Sequence, residues 1–446
     1  MSGKYQKVIH TDVMVAGAGT AGLCAAIQAA RDGNDVTLVE MTDRLGGVMS
    51  VCEGMPLGCG YPCLKNIGGL FGEYVNRLLS YDPPQGYLRI MPRENFGWDI
   101  YYNQDFAMFT FFEMLEKAGV HVLLNAITGD VIMDGDRITG VEYHDMTGTN
   151  LIEAKIYIDC TGNGDVAYRA GVPFDSGNEK GEFMTYTMSF ILGNVDESKL
   201  IDPNSRDQEN GYIDPKPLVD LGIVAAELKE LQFSKMVEPG RFFVNFLRER
   251  GVNGLDPDDM LKRSNEARRR IVRIYQYLRE NVPAFANAYL DGVGPLLGVR
   301  DTRRFEGIYR LTVDDIMKGE KFKDSGIVCC DNPIDEVGRS LHGEIKYLSI
   351  GQKGKHYYRI PFGCFVPKKV KNLMFAGKLL SSEPMAMASA RGMGTCFAMG
   401  QAVGSAAKFA IRQNIPVQEI EPSAVVAEMK KNGVIGLGEE ELTDCV

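Results

Sequence analysis

The sequence predicts an α/β chain in which a dinucleotide-binding lobe is interrupted by a second, mixed α+β lobe. Three observations carry that prediction. The stretch DVMVAGAGTAGLCAAIQAARDGNDVTLVE, from Asp12 to Glu40, reads as strand, glycine turn, helix and strand. Far along the chain, NLMFAGK reads as a further buried strand that ends at Gly377 and leads into a helix rich in small residues. Between about residues 181 and 350 neither pattern recurs.

VMVA is a short apolar run before a glycine turn, as expected of a buried parallel strand. Gly17, Gly19 and Gly22 complete G-x-G-x-x-G. The first permits the tight turn, the second lets backbone approach a pyrophosphate, and the third lets the next helix pack closely. That helix is expected from about Thr20 to Arg31, its free N–H groups facing the phosphates, and Gly33 stops it. DVTLV is the second strand. Glu40 ends it, where a carboxylate can accept both hydroxyl protons of an adenosine ribose. Strand, helix, strand and acid fall in one register, which a chance glycine turn does not explain. An acid at this position also repels a 2′-phosphate.

Composition narrows the classes. A chain of 446 residues with 50 glycines suits a large α/β protein with many tight turns. A formal net charge of −10 argues against nucleic acid or an anionic membrane as partner. No apolar run is long enough to span a bilayer, and MSGKYQKVIH lacks a signal-peptide core. The ten cysteines are scattered, so a reduced, cytoplasmic setting is expected. There is no internal repeat or low-complexity linker.

The remaining elements follow in order. RLGG, Arg44 to Gly47, is a turn continuing towards the far end of a bound dinucleotide. A helix is expected over Gln104 to Ala118. VHVLL, DVIM, RITGVEYH and LIEAKIYIDC then read as a four-stranded β-meander, about 120–160. Its last strand runs into TGNGDVA, glycine-rich backbone at a strand end where a cofactor can lie. The interrupting lobe holds a helix from Pro257 to Glu280, with Asp256 as N-cap and Ile271, Ile274, Tyr275 and Leu278 as its apolar stripe. Its arginines at 263, 268, 269, 270 and 273 read as a solvated face. YYRIPFGCFVP and NLMFAGK bring the chain back. SSEPMAMASARGMGTCFAMGQAVGSAAKFA follows, a helix whose glycine-rich entry admits a flat ring and whose N–H groups can meet developing negative charge.

GAGTAG with Glu40, RLGG, DCTGNGDVA, PAFANAYLDGVGPLLGVRDTRRFEGIYRLT, YYRIPFGCFVPKKVKNLMFAGK and SARGMGTCFAMGQAVGSAA together carry a resemblance. The chain resembles the FAD-dependent oxidoreductases of the glutathione-reductase-like superfamily, in the branch whose substrates are mostly unassigned. The likeness extends from about residue 10 to the C-terminal EMKKNGVIG. It implies a Rossmann-like FAD-binding domain of glutathione-reductase type with an inserted β-meander, plus a mixed α+β substrate domain. The expected limits are 8–180 and 351–415 for the FAD-binding parts, 181–350 for the substrate domain, and 416–446 for a helical tail.

The resemblance also implies an extended FAD. Its adenosine would lie on Glu40, with Met41 adjacent, and its pyrophosphate over Gly17, Gly19, Thr20, Ala21 and Gly22, near Gly377 and Lys378. The flavin end would approach Gly46, Gly47, Val48 and Met49 and the helix beginning near Gly394. Val131 would lie beside the adenine, with Cys160, Thr161 and Gly162 nearby and Arg44 and Asp165 as further contacts. Backbone N–H groups around Thr395 and Cys396 would meet the flavin N1–C2=O edge. Arg391, one turn earlier, reads either as a flavin or substrate contact or as a structural ion pair.

The rest of the chemistry is less marked. Reductases that use two dinucleotides carry a second G-x-G-x-x-G. GVGPLLG, Gly292 to Gly298, holds a proline and opens no helix, so it reads as a turn and a stable NAD(P)H site is not expected. Cys52, Cys59 and Cys63 are spaced C-x6-C-x3-C without a C-x-x-C pair, so free thiols are the default over a flavin-coupled disulfide or an iron–sulfur cluster. The five histidines show no metal spacing, and no metal is expected. Candidates for substrate chemistry are His356, Tyr357 and Tyr358 as acid or base, and Arg300, Arg303 and Arg304 as a clamp for carboxylate or phosphate. Each has a plainer reading as an interface hydrogen bond or ion pair.

The expected function is hydride transfer between flavin N5 and a small polar metabolite bearing hydroxyl or carboxylate, with dehydrogenation slightly preferred. The alternatives are a reductase of an activated C=C bond reloaded by a separate electron donor and, in another class, a flavin-bearing electron-transfer subunit. An aromatic hydroxylase is disfavoured because AGK stands where its GD motif belongs. The electron acceptor or donor is unassigned, and a homo-oligomer is left open.

Overall fold

The computed structural model describes residues 4–52, 54–90, 98–203, 209–224, 226, 230–245, 248–249, 251–335, 357–438 and 442. The first lobe is α/β. Its elements are β1 (Val8–Ala16), α1 (Thr20–Arg31), β2 (Val36–Val39), the short α2 (Val48–Val51), α3 (Gly69–Leu79), the hairpin β3 (Gly86–Ile90) and β4 (Trp98–Tyr102), and α4 (Gln104–Ala118). They continue with β5 (His121–Leu123), β6 (Ile127–Asp134), β7 (Arg137–Asp145), β8 (Gly148–Asp159) and α5 (Asp165–Arg169). The main sheet has the order β5-β2-β1-β8-β7-β6, and the late strand Leu373–Phe375 also pairs with β8. β1 lies parallel to both β2 and β8. Val13 and Val15 enter one core and Met14 and Ala16 the other, so β1 is covered on both faces, as its unbroken apolar run requires.

All four strands of the expected meander form, but they do not make a separate unit. β5 pairs in parallel with β2, and β8 runs beside β1 from Leu151 to Asp159. Only β6, β7 and the first part of β8 are antiparallel. The reason is the length of β8: twelve residues let Gly148–Ile152 pair with β7 while Tyr157–Asp159 pairs with the Leu373–Phe375 strand.

The helix Met393–Gln413 packs along α1. A Cβ on Gly400 would overlap the Ala21 carbonyl, and one on Gly404 would stand 2.6 Å from that of Ala25. Its small residues therefore seat one helix against another, the α1 whose N-terminus faces the glycine turn.

The second lobe is an antiparallel sheet of Asn210–Ile213, Leu231–Lys235, Phe242–Val244, Phe190–Gly193 and Tyr289–Val293, in that order. It is backed by the helix Pro257–Asn281, whose Asp256 N-cap accepts from the Asp258 and Asp259 amides. Ala267, Ile271, Ile274 and Leu278 of that helix share a core with Tyr186, Met188, Phe190 and Leu192. Alternation along the extended chain turns Thr185, Thr187, Ser189 and Ile191 to the other side. Ile191 there meets Tyr101 of β4 together with Met236 and Phe243. The β3–β4 hairpin joins the lobes, since Tyr102 donates to Met49 O at 3.1 Å and Tyr87 to Lys235 O at 2.6 Å. Gly294 to Gly298 form a turn, with Gly298 and Thr187 exchanging backbone hydrogen bonds. No described helix is long and apolar enough to cross a membrane.

Candidate functional site

The glycine turn is held from below and open above. Gly17 has φ +90°, and a Cβ there would stand 2.6 Å from the Cys160 carbonyl oxygen at the end of β8. A Cβ on Gly22 would overlap the Gly17 carbonyl. Gly19 differs: it is the extended N-cap of α1, and a Cβ there would meet nothing within 4 Å. The α1 N-terminus has neither a side-chain cap nor an acid in its first turn, so its amides at Thr20 and Ala21 keep their attraction for an anion. This hollow fits a diphosphate.

Glu40 stands beside it. One carboxylate oxygen accepts from the Ala18 amide at 2.8 Å, and the other from the Thr42 amide and hydroxyl, each at 3.0 Å. A carboxylate has about four acceptor positions, so one remains for a ribose hydroxyl. Met41 is exposed alongside, and Val131 lies half-buried in β6 opposite Val141. The RLGG turn closes onto the glycine loop: the Gly46 amide donates to Ala18 O at 2.9 Å, and a Cβ on Gly47 would stand 2.9 Å from Gly19 Cα. Arg44 donates to Ser50 O at 3.1 Å, Val48 is exposed, and Met49 is buried.

At the end of β8 the key residue is one the sequence reading passed over. Asp159, fully buried, accepts from the Thr161 amide and hydroxyl and from the Val166 and Ala167 amides. Burial raises its pKa despite those bonds. Thr161 in turn accepts from the Gly164 and Asp165 amides, so its hydroxyl shapes the loop. Gly162 follows with φ +77°. Arg303 donates to Asn163 O at 2.9 Å, lies 3.8 Å from Asp165 and stacks over Tyr168 at 4.2 Å. Arg304 donates to Gly177 O at 2.6 Å and lies 3.8 Å from Asp301. These two arginines brace loops.

Three other cations converge where the lobes meet. Arg300 lies 3.7 Å and Arg391 3.4 Å from Asp335, and Arg300 also reaches Thr187 at 3.4 Å. Arg391 Nε is buried without a hydrogen-bond partner. Lys378 Nζ donates to Val299 O, the residue before Arg300, at 3.1 Å. Lys378 is half-buried. Burial, opposed by Asp301 and aided by Arg391, pulls its ammonium down to about 8.

The tyrosine candidates go elsewhere. Tyr358 is fully buried, its hydroxyl 2.8 Å from Ser389 Oγ, which donates to Asn332 O at 2.6 Å. Burial holds that phenol well above its usual range. Tyr357 is also buried, and His356 lies outside the described residues. The entry to the Met393–Gln413 helix is occupied too. Gly394 donates to Gly58 O, and a Cβ on it would overlap the Gly60 backbone. The Cys396 amide donates to Gly392 O. The narrow approach at Gly394 thus seats the 58–60 loop, and the Cys396 amide closes a helical turn instead of facing a ring edge. Thr395, fully buried, accepts at its hydroxyl from Asn332 at 3.0 Å. Cys52 and Cys63 are buried and Cys59 is half-buried.

Digoxin reductase of Eggerthella lenta is 35% identical over 82 residues, 17% of this chain and 15% of that protein. Digeranylgeranylglycerophospholipid reductase 1 of Methanococcoides burtonii is 29% identical over 159 residues, 34% of this chain and 37% of that protein. The chain therefore matches well under two thirds of either relative. Among solved structures, a geranylgeranyl bacteriochlorophyll reductase-like protein of Thermoplasma acidophilum has TM-score 0.50 at 13% identity, covering 98% of this chain and 94% of that one. The flavin-dependent brominase Bmp2 has TM-score 0.51 at 13% identity, covering 95% and 83%. At such identity these structures speak for the fold alone. Residues 12–429, with the open glycine turn and Glu40 at their start, match the FAD dependent oxidoreductase family: the chain belongs to it, and its cofactor is FAD.

Proposed function

We propose that the enzyme transfers a hydride between flavin N5 and a small polar metabolite bearing a carboxylate, with dehydrogenation of a hydroxyl-bearing carbon as the favoured direction. The observation that carries this is the convergence of Arg300, Arg391 and Lys378 where the lobes meet, the two arginines both lying within 4 Å of Asp335 and Arg391 Nε buried beside them. Arg391 Nε is an unpaired buried donor, costly unless a ligand meets it. A substrate carboxylate supplies that acceptor and is oriented by it. Bound FAD supplies the two-electron chemistry. Thr187 adds a hydroxyl 3.4 Å from Arg300.

The direct test is the visible spectrum of the FAD-loaded protein, followed anaerobically during addition of glycolate, L-lactate, L-malate and D-gluconate. Bleaching by one of them establishes the dehydrogenase and its substrate class. The second reading is a reductase of an activated C=C bond, supported by two relatives that are reductases by name. It predicts that none of these acids bleaches the flavin, while the dithionite-reduced protein is reoxidised by an enone.

A further inference from the structure

The geometry points to Lys378 as the base that takes the substrate's hydroxyl proton, an inference that rests on the dehydrogenase reading above. Lys378 follows Gly377 just after the Leu373–Phe375 strand and reaches across the lobe junction to one acceptor among the described residues, Val299 O. No carboxylate of the described residues lies within ion-pair distance of it.

Among the charged groups facing Lys378, Asp301 favours the ammonium and Arg391 disfavours it. Asp301, from the Val299–Arg304 stretch, accepts from the Met184 amide at 2.8 Å and lies 3.8 Å from Arg304, so its charge is answered there. Arg391, at the end of the helix Pro384–Ala390, is a like charge. Cys396, on the next helix, has its thiol pushed up to about 12 by burial and stays neutral. Cys52, after α2, is buried beside Gly298. An ammonium set among a guanidinium and thiols gives up its proton readily. The Gly162 loop is close by, with Lys378 Cε 3.6 Å from where a Cβ on Gly162 would stand.

The step balances as an alcohol oxidation. The substrate C–H bond breaks and its electron pair leaves with the hydrogen for FAD. The O–H bond breaks to the neutral amine of Lys378, which becomes an ammonium, and a C=O bond forms. The substrate loses two electrons and FAD gains them. Arg300 and Arg391 hold the neighbouring carboxylate throughout.

Two measurements on FAD-loaded protein test this, using Lys378→Arg and Lys378→Met. Arginine keeps the cation but cannot act as a base near neutral pH. The oxidised wild-type spectrum should show a one-proton transition near pH 8 that is absent from both variants. With the acid that bleaches the wild type, the rate should rise through that transition. In Lys378→Arg it should fall by about 100-fold or more at saturating substrate, with little change in KM. A wild-type spectrum flat from pH 6 to 10 overturns the assignment. So does a Lys378→Arg protein that bleaches at the wild-type rate, which would leave Lys378 as a cation only. If Lys378→Met does not retain FAD, Lys378→Arg decides alone. A transition present while none of the four acids bleaches the flavin overturns the substrate reading, and the hydroxyl as proton source with it.

Discussion

A Cβ on Gly22 would overlap the carbonyl oxygen of Gly17, so these two glycines make one contact that excludes any side chain. Gly19, between them, has no such neighbour. The three positions of one motif therefore answer to different forces, two to packing and one to the ligand.

Gly19→Val should separate these roles. The apoprotein should fold with a loss of no more than about 1 kcal/mol, the cost of a poorer N-cap residue. FAD binding should weaken by about 100-fold or more, because the side chain fills the hollow above α1. Gly22→Ala should instead lower apoprotein stability by about 3 kcal/mol through overpacking against backbone. Thermal melts with and without FAD distinguish them. A Gly19→Val protein whose melting temperature rises with FAD as the wild type's does would refute the placement of the diphosphate.

Glu40→Gln keeps the shape of the side chain and removes its charge. The Ala18 and Thr42 amides now meet a weaker acceptor, and so does the ribose hydroxyl. FAD affinity should drop by about 1–3 kcal/mol, the scale of hydrogen bonds to a charged group. Flavin fluorescence quenching on titration reads it. Unchanged affinity would remove Glu40 from the ribose site.

The two neighbouring arginines should part company. Arg303 braces Asn163 and stacks on Tyr168, so Arg303→Met should cost about 1–3 kcal/mol of stability and leave substrate affinity alone. Arg300→Met should raise KM for the reducing acid by about tenfold to a hundredfold, through loss of a charge-assisted bond to its carboxylate. Equal effects of both on KM would mean that the clamp is assigned to the wrong pair.

How much of this could be read in the sequence follows from distance along the chain. The glycine turn, α1, β2 and Glu40 lie within one short unit whose spacing is set by local geometry, and they were legible. The Asp256 N-cap and the helix after it were legible for the same reason. The junction was legible only in part: Arg300 and Arg391 stood as candidates, Lys378 was expected only beside the pyrophosphate, and Asp335 between the two arginines is joined to neither by any period or motif. The glycines at 394 and 400 marked close approach, and nothing local says whether a ring, a loop or a helix approaches; here it is the 58–60 loop and α1. Tyr358 looked available because its hydroxyl was visible and its partner Ser389 was not.

The last prediction concerns a charge acting at a distance on the proposed base. Burial, opposed by Asp301 and aided by the like charge of Arg391, holds the ammonium of Lys378 at about 8. A lysine below that value carries the proton already and cannot accept one; above it the amine is free. In Arg391→Met the like charge is gone and the ammonium is easier to form, so the folded pKa must rise. Both the spectral transition and the rise in bleaching rate should move to higher pH together, while Asp301→Asn, which removes an opposing negative charge, should move them lower. Absorbance titrations of the two FAD-loaded variants give the sign directly. A transition that stays in place in Arg391→Met would mean that the titrating group is some residue other than Lys378.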